Sequence, residues 1–205
     1  MKSYNQFCGT AYALDVLGER WTLLILRDLL TGPRRYSDLL ETLPGITTNL
    51  LAKRLGHLVD ADVIVKSTAG YDLTARGRRA EPIVLALADF GSETLRLPPK
   101  NEETVSRQAM VLNLKRRYGG GCDCTIGLIF EASAFLLTVT DTSLVIGALT
   151  ITPDATLTQS NAGFARWIIA GHPIDDLMKA GEITAEGDMA RLRAFDASLA
   201  QPTSF

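Results

Sequence analysis

The chain has 205 residues, 46% of them hydrophobic and 7% aromatic, enough to bury a real core and better suited to two small domains than to one large one. With 21 basic against 23 acidic side chains it has no global field for polyanions, so any nucleic-acid surface has to be local. No apolar run approaches the roughly 18 to 20 residues needed to span a bilayer, and three cysteines in a chain this long do not make a disulfide framework. A cytoplasmic protein without membrane contact is expected.

Residues 1 to 99 carry 12 basic and 11 acidic side chains, and residues 100 to 205 carry 9 and 12. The difference is small, but the cations cluster: Arg34 with Arg35, Lys53 with Arg54, and Arg76 with Arg78 and Arg79. From Ala11 to Leu30 apolar residues dominate, read as a short helix, a turn at Gly18, and a second helix from Arg20 that is apolar on nearly all sides. After the Gly32-Pro33 break, Tyr36, Leu39, Leu40 and Leu43 have the spacing of a short helix. "PGITTNLLAKRL" then turns the chain into another helix, and two helices joined by a short Gly-containing turn make a helix-turn-helix.

"VIVKSTAGYDLT" reads as a small hairpin. Thr74 can cap a long helix running to about Leu97, bent by Pro82. The two prolines and charges of "RLPPKNEE", Arg96 to Glu103, mark a linker. Beyond it a helix from Met110 to Tyr118 leads into the strands "CTIGLIFEA", "AFLLTVTD", "SLVIGALTI" and "ATLTQS", and the chain closes with helices around Phe164 to Ala170, Ile174 to Ala180 and Asp188 to Leu199. The expected architecture is a mainly α winged helix, a helix-turn-helix plus small β hairpin, over residues 1–98. An α+β module with an antiparallel sheet is expected over 104–205.

Around the helix that starts near Thr48, Leu51, Leu55, Leu58 and Val59 fall in one arc, and Thr48, Asn49, Ala52, Lys53 and Gly56 in the opposite one. Small residues let a helix approach a groove floor, Asn makes bidentate contact with adenine, and Lys53 can reach a phosphate. The competing reading is a helix capped by Thr47 with a solvated polar face. The nearby cations favour DNA. Arg54 lies within the apolar arc, so its stem either follows the core or its head pairs with an acid.

The stretch "CGTAYALDVLGERWTLLILRDLLTGPRRYSDLLETLPGITTNLLAKRLGHLVDADVI" resembles the HxlR family of bacterial winged-helix regulators, over roughly residues 7 to 95. The resemblance implies a homodimeric transcription regulator on pseudo-palindromic promoter DNA, with the helix after "PGI" in the major groove. It places Thr47, Thr48, Asn49, Lys53 and Arg54 on the recognition helix and Arg35 at its supporting helix. Arg34, Ser37, Lys66 and Arg76 complete the expected DNA-binding set. Asp62 stands where the family usually has Gly, and the wing "KSTAG" carries one cation.

Residues 102 to 200 resemble, more faintly, the sterol-carrier-protein-like domain, chiefly in "LMKAGEITAEGD". That resemblance implies a cavity for an apolar small-molecule effector, lined by Phe164, Trp167, Leu177 and Met178. The alternative is a packing module with a filled core. Cys8 aligns with the cysteine at which some HxlR-like regulators sense oxidants or electrophiles, and a thiol near a helix start can have a lowered pKa; a buried structural cysteine is the other reading. Cys122 and Cys124 of "GGGCDC" share one side if extended, but two thiolates do not complete a zinc site, so no metal and no cofactor are expected. Gly119 to Gly121 lack the Lys-Ser/Thr of a phosphate loop, and no GxSxG elbow, HExxH or triad order is present, so no enzyme is expected. A ligand-responsive repressor is the leading reading. A regulator switched by Cys8, or a lipid carrier whose first half only dimerises, are its rivals.

Overall fold

The computed structural model describes residues 3–95, 103–131 and 133–200. Its contacts divide the chain into two compact units, Met1–Phe90 and Gly91–Phe205. The linker expected at Arg96 to Glu103, and with it the boundary at residue 98, lies outside the described residues apart from Glu103.

In the first unit α1 (Gly9–Leu17) and α2 (Thr22–Leu29) are followed by α3 (Tyr36–Thr42), α4 (Thr48–Asp60), a hairpin of β1 (Ile64–Ser67) and β2 (Gly70–Leu73), and then α5 (Ala75–Arg78) and α6 (Glu81–Ser92), whose last two residues fall past the unit's limit at Phe90. This is the expected winged helix. α2 begins two residues later than its sequence suggests, because Trp21 takes a left-handed φ of 79° that no helix can contain. Ile25, Leu26 and Leu29 of α2 are fully buried, as are Leu39, Leu51, Leu55 and Leu58 of the two helices that follow, so the near-continuous apolarity of α2 reflects its place in the core. Asp62 has φ 55°; aspartate tolerates that region, which explains how it stands where a glycine is usual.

The long helix expected from Thr74 is two helices. Thr74 does cap it, accepting from the Gly77 N–H at 3.0 Å, but α5 stops at Arg78 and α6 starts at Glu81. Pro82 lies in the first turn of α6, where its missing N–H leaves no intrahelical bond unmade. The proline starts a helix instead of bending one.

The second unit opens with α7 (Arg107–Arg117), capped by Ser106 through the Ala109 N–H at 3.2 Å. β3 (Cys124–Phe130), β4 (Ser133–Thr140), β5 (Ser143–Gly147), β6 (Ala155–Gln159) and β7 (Ile183–Gly187) form one sheet in the order β5-β4-β3-β6-β7, with α8 (Asn161–Ile168) and α9 (Ile174–Lys179) between β6 and β7, and α10 (Met189–Ala197) last. The α+β class holds. Three pairings are antiparallel, whereas β3 and β6 run parallel, with Leu128 opposite Leu157. β7 is a strand the sequence reading lacked.

One face of this sheet is buried: Ile126 and Leu128 of β3, Phe135 and Leu137 of β4, Leu144 and Ile146 of β5, and Leu157 of β6 alternate inward. An edge-to-face aromatic series continues that core, from Phe130 to Phe164 (5.2 Å between centroids), Phe164 to Trp167 (5.7 Å) and Trp167 to Phe195 (6.3 Å). Arg117 is the polar anchor. Its guanidinium donates to the carbonyls of Ile168 (2.8 Å) and Trp167 (3.2 Å), which the end of α8 leaves open, and to that of Ala200 (2.7 Å) after α10.

Candidate nucleic-acid interface

The site is organised by how the chain enters α4. Gly45, at φ 88°, makes the turn after α3 in a conformation that favours glycine. Ile46 is then buried, and the Thr47 hydroxyl caps α4 by accepting the Leu50 N–H at 3.3 Å. From α3, the Tyr36 hydroxyl donates to the Thr48 carbonyl at 2.7 Å, so the two helices of the motif are tied at the start of the second. Leu51, Leu55 and Leu58 turn inward, and Thr47, Thr48, Asn49, Ala52, Lys53 and Gly56 are exposed. The polar strip read from periodicity is present. Val59, expected in the inner arc, is 40% exposed.

Arg54 is corrected. It is buried, its guanidinium pairs with the Glu19 carboxylate, and its Nε donates to the Arg20 carbonyl at 3.1 Å. An arginine so engaged clamps α4 to the turn before α2 and is withdrawn from any phosphate. Arg34 is half-buried, donating to the Thr31 hydroxyl at 2.7 Å, which directs it inward as well.

Arg35 and Ser37 are exposed at the start of α3, where the Arg35 N–H donates to Asp38 at 2.9 Å and the Ser37 hydroxyl to the same carboxylate at 3.2 Å. Lys66 is exposed on β1, its ammonium 5.8 Å from the Tyr71 ring centroid. Arg76 is exposed but donates to the Ala61 carbonyl at 2.6 Å, bracing the end of α4. The hairpin is held against α3 by a two-way bridge between Arg34 and Tyr71. A Cβ on Gly70 would fall 2.4 Å from the Arg34 carbonyl oxygen, so only glycine allows this approach.

Three supporting residues escaped the sequence reading: Tyr36, Glu19 and Asp28. The last is buried in α2, where it accepts from the Thr42 hydroxyl at 2.7 Å and from Arg27 Nε at 2.8 Å, joining α2 to the end of α3. Burial pushes its carboxyl above the ordinary aspartate range, against the pull of Arg27 and Thr42. The signal was an acid in the otherwise apolar "TLLILRDLL", and its partner could not be read from spacing.

Cys8 is exposed at the N-cap of α1, and the backbone N–H groups of Ala11 and then Thr10 hold its thiol below the usual cysteine range. α1, α5 and α6 enclose an open groove of about 350 Å³, lined by Tyr12, Val16, Leu17 and Ile83 with Arg76 and Arg79 at its polar side. The residues expected to line a cavity in the second unit lie elsewhere in its packing. Phe164, Trp167 and Leu177 are buried in the core described above, and Met178 is partly exposed. Trp167 Nε1 donates to Asp196 at 2.6 Å, so its polar atom is already satisfied.

Among the described residues, no group of three or more His, Cys, Asp or Glu side chains is placed to hold a metal ion, and no helix is long and apolar enough to cross a membrane. The model of HxlR-like helix-turn-helix proteins matches residues 16–98. An uncharacterized HTH-type transcriptional regulator of Synechocystis, sll1512, is 37% identical over 98 residues, covering 44% of this chain and 73% of that protein. The HTH-type transcriptional regulator YodB of Bacillus subtilis is 31% identical over 78 residues, covering 35% and 70%. The solved structure of PA1607, a putative transcription factor, is 34% identical and covers 49% of this chain and 73% of that one, with a TM-score of 0.42. The chain belongs to the HxlR-like helix-turn-helix family of transcriptional regulators, and its first unit is that family's winged-helix fold.

Proposed function

We propose that this regulator is a cytoplasmic homodimer that represses by occupying pseudo-palindromic promoter DNA and is released or recruited by an apolar small molecule held in its sterol-carrier-like second unit. The observation that carries the DNA reading is the exposed strip Thr47, Thr48, Asn49, Ala52, Lys53 on a helix whose opposite side buries Leu51, Leu55 and Leu58. Thr48 and Asn49 face base edges, and Lys53, with Arg35 and Lys66 on the neighbouring elements, faces phosphates.

Asn49→Ala weakens binding to the cognate site by about 1–3 kcal/mol while leaving random DNA unchanged. Lys53→Ala weakens both and lowers the slope of log affinity against log salt by about one. Gel shifts over a salt series measure both, and an equal loss on cognate and random DNA for Asn49→Ala removes the base-reading role.

The ligand reading is supported by Gln159, the one polar side chain on the covered face of β6. It is 6% exposed, and both amide atoms are without a partner among the described residues. A ligand with a single polar group in an otherwise apolar body suits such an amide. Coupling follows if that ligand prefers one dimer geometry. A second reading makes Cys8 the switch, favoured by its exposure and lowered pKa. It requires that Cys8→Ser abolish the oxidant response of DNA binding, and a surviving response refutes it.

A further inference from the structure

Cys122 and Cys124 have no part in the DNA-binding reading. Both side chains are buried, at 7% and 5% exposure, and their sulfurs stand 3.3 Å apart. We propose that they form a redox site in the second unit, a dithiol that a small peroxide closes to an intramolecular disulfide.

A disulfide bond is about 2 Å long, so the sulfurs must approach by roughly 3.3 − 2.0 = 1.3 Å. The backbone around them is uneven in stiffness. Cys124 is the first residue of β3, locked in register with Val139. Cys122 lies outside the strand, after Gly120 and Gly121 at φ 90° and 86°. Its backbone is held chiefly through Tyr118, whose hydroxyl accepts the Cys122 N–H at 3.3 Å and has its single proton between the carbonyls of Thr140 (2.6 Å) and Cys122 (3.0 Å). The needed movement therefore falls on Cys122.

Two residues of extended chain span about 6.6 Å, near the upper limit of Cα separation for a disulfide. Closure is possible but strained, and a strained disulfide is the readily reduced kind. The product is also neutral, which suits a buried site better than a thiolate does.

The two sulfurs have different roles. Cys122, on the less constrained backbone and the slightly more exposed of the two, is the attacking sulfur, and burial, followed by the neighbouring Cys122 sulfur, pushes the Cys124 thiol up to about 12. Cys122 forms a bond to one peroxide oxygen, the O–O bond breaks, and the Cys122 proton leaves with the other oxygen as water, giving a sulfenic acid. The Cys124 sulfur then attacks the Cys122 sulfur, the S–O bond breaks, and the Cys124 proton departs with the hydroxyl as a second water. Two thiols and one hydrogen peroxide become one disulfide and two waters, a two-electron oxidation of the protein.

The test uses the full chain with Cys8→Ser, reduced, exposed to hydrogen peroxide and quenched with an alkylating agent. The expected result is joint loss of both remaining thiols, with the peptide that holds them lighter by about 2 Da and restored by dithiothreitol. Oxygen addition without that loss, disulfides between chains through either residue, or thiols that stay alkylatable under peroxide that consumes Cys8 in the unsubstituted chain would each overturn the proposal. In Cys124→Ser, the Cys122 sulfenic acid loses its partner and is trapped by dimedone. Equally fast oxidation of Cys124 in Cys122→Ser would refute the assigned roles.

Discussion

In the first unit α6 buries Val84 while Ile83, Leu87 and Phe90 stand 43%, 47% and 77% exposed, whereas in the second unit α8, a shorter helix, buries Phe164, Trp167 and Ile168 to 1% exposure or less. Both helices are apolar. The second finds its complement inside its own unit, in Phe130 and Phe195, and the first does not: Ile83, Leu87 and Phe90 follow an i, i+4, i+7 stripe with water on it. Tyr12 and Leu14 on α1 add exposed apolar area to the same unit, at 61% and 42%. Apolarity alone therefore does not say whether a helix is core. On the proposed reading, the polar strip of one helix meets a duplex and the apolar stripe of another meets a second copy.

That contrast breaks most visibly in the second unit. Trp167→Ala removes contacts to Phe164 and Phe195 and leaves the Asp196 carboxyl without its indole donor, so it destabilises by about 3–5 kcal/mol. Urea unfolding followed by near-UV dichroism measures it; a loss under about 1 kcal/mol would show that the aromatic series is loosely packed. In the first unit Leu87→Glu leaves the folded monomer almost unchanged, within about 0.5 kcal/mol for an exposed site. The same change weakens dimerisation by about 10- to 100-fold, or roughly 1.4–3 kcal/mol. Sedimentation against concentration decides it, and an unaltered dimer would move the interface off α6.

The same contrast explains what was legible in the sequence. The faces of α4 follow from 3.6-residue periodicity, a local property, and the structure keeps them apart from Val59. The fate of Arg54 depends on Glu19, 35 residues away, and no local rule supplies that partner. Pro82 was legible as a disruption but not as a beginning, because a proline fits the first turn of a helix as well as it breaks the middle of one, and the local sequence does not say which. β7 was hidden by its own composition. "ITAEG" buries only Ile183, as an edge strand can, and it reads as a loop. Likewise the parallel pairing of β3 with β6 is a long-range choice, invisible in the alternation that both strands share.

The smallest expected effect concerns Gln159, a buried side chain of the second unit whose amide has no partner among the described residues. Gln159 lies opposite Ile183 and shares its face with Leu157, both of them apolar. An unsatisfied buried polar group costs about 1–3 kcal/mol, and Leu is of similar volume. Gln159→Leu thus stabilises the ligand-free chain by about 1 kcal/mol in thermal unfolding. If the second unit holds an effector as proposed, the same change also removes the effector-dependent change in DNA affinity, because the polar contact proposed to orient it is gone. A drop in stability instead would mean that an internal water already satisfies the amide. In that case the second unit is as self-contained as its aromatic series, and an effector would have to act through the first unit.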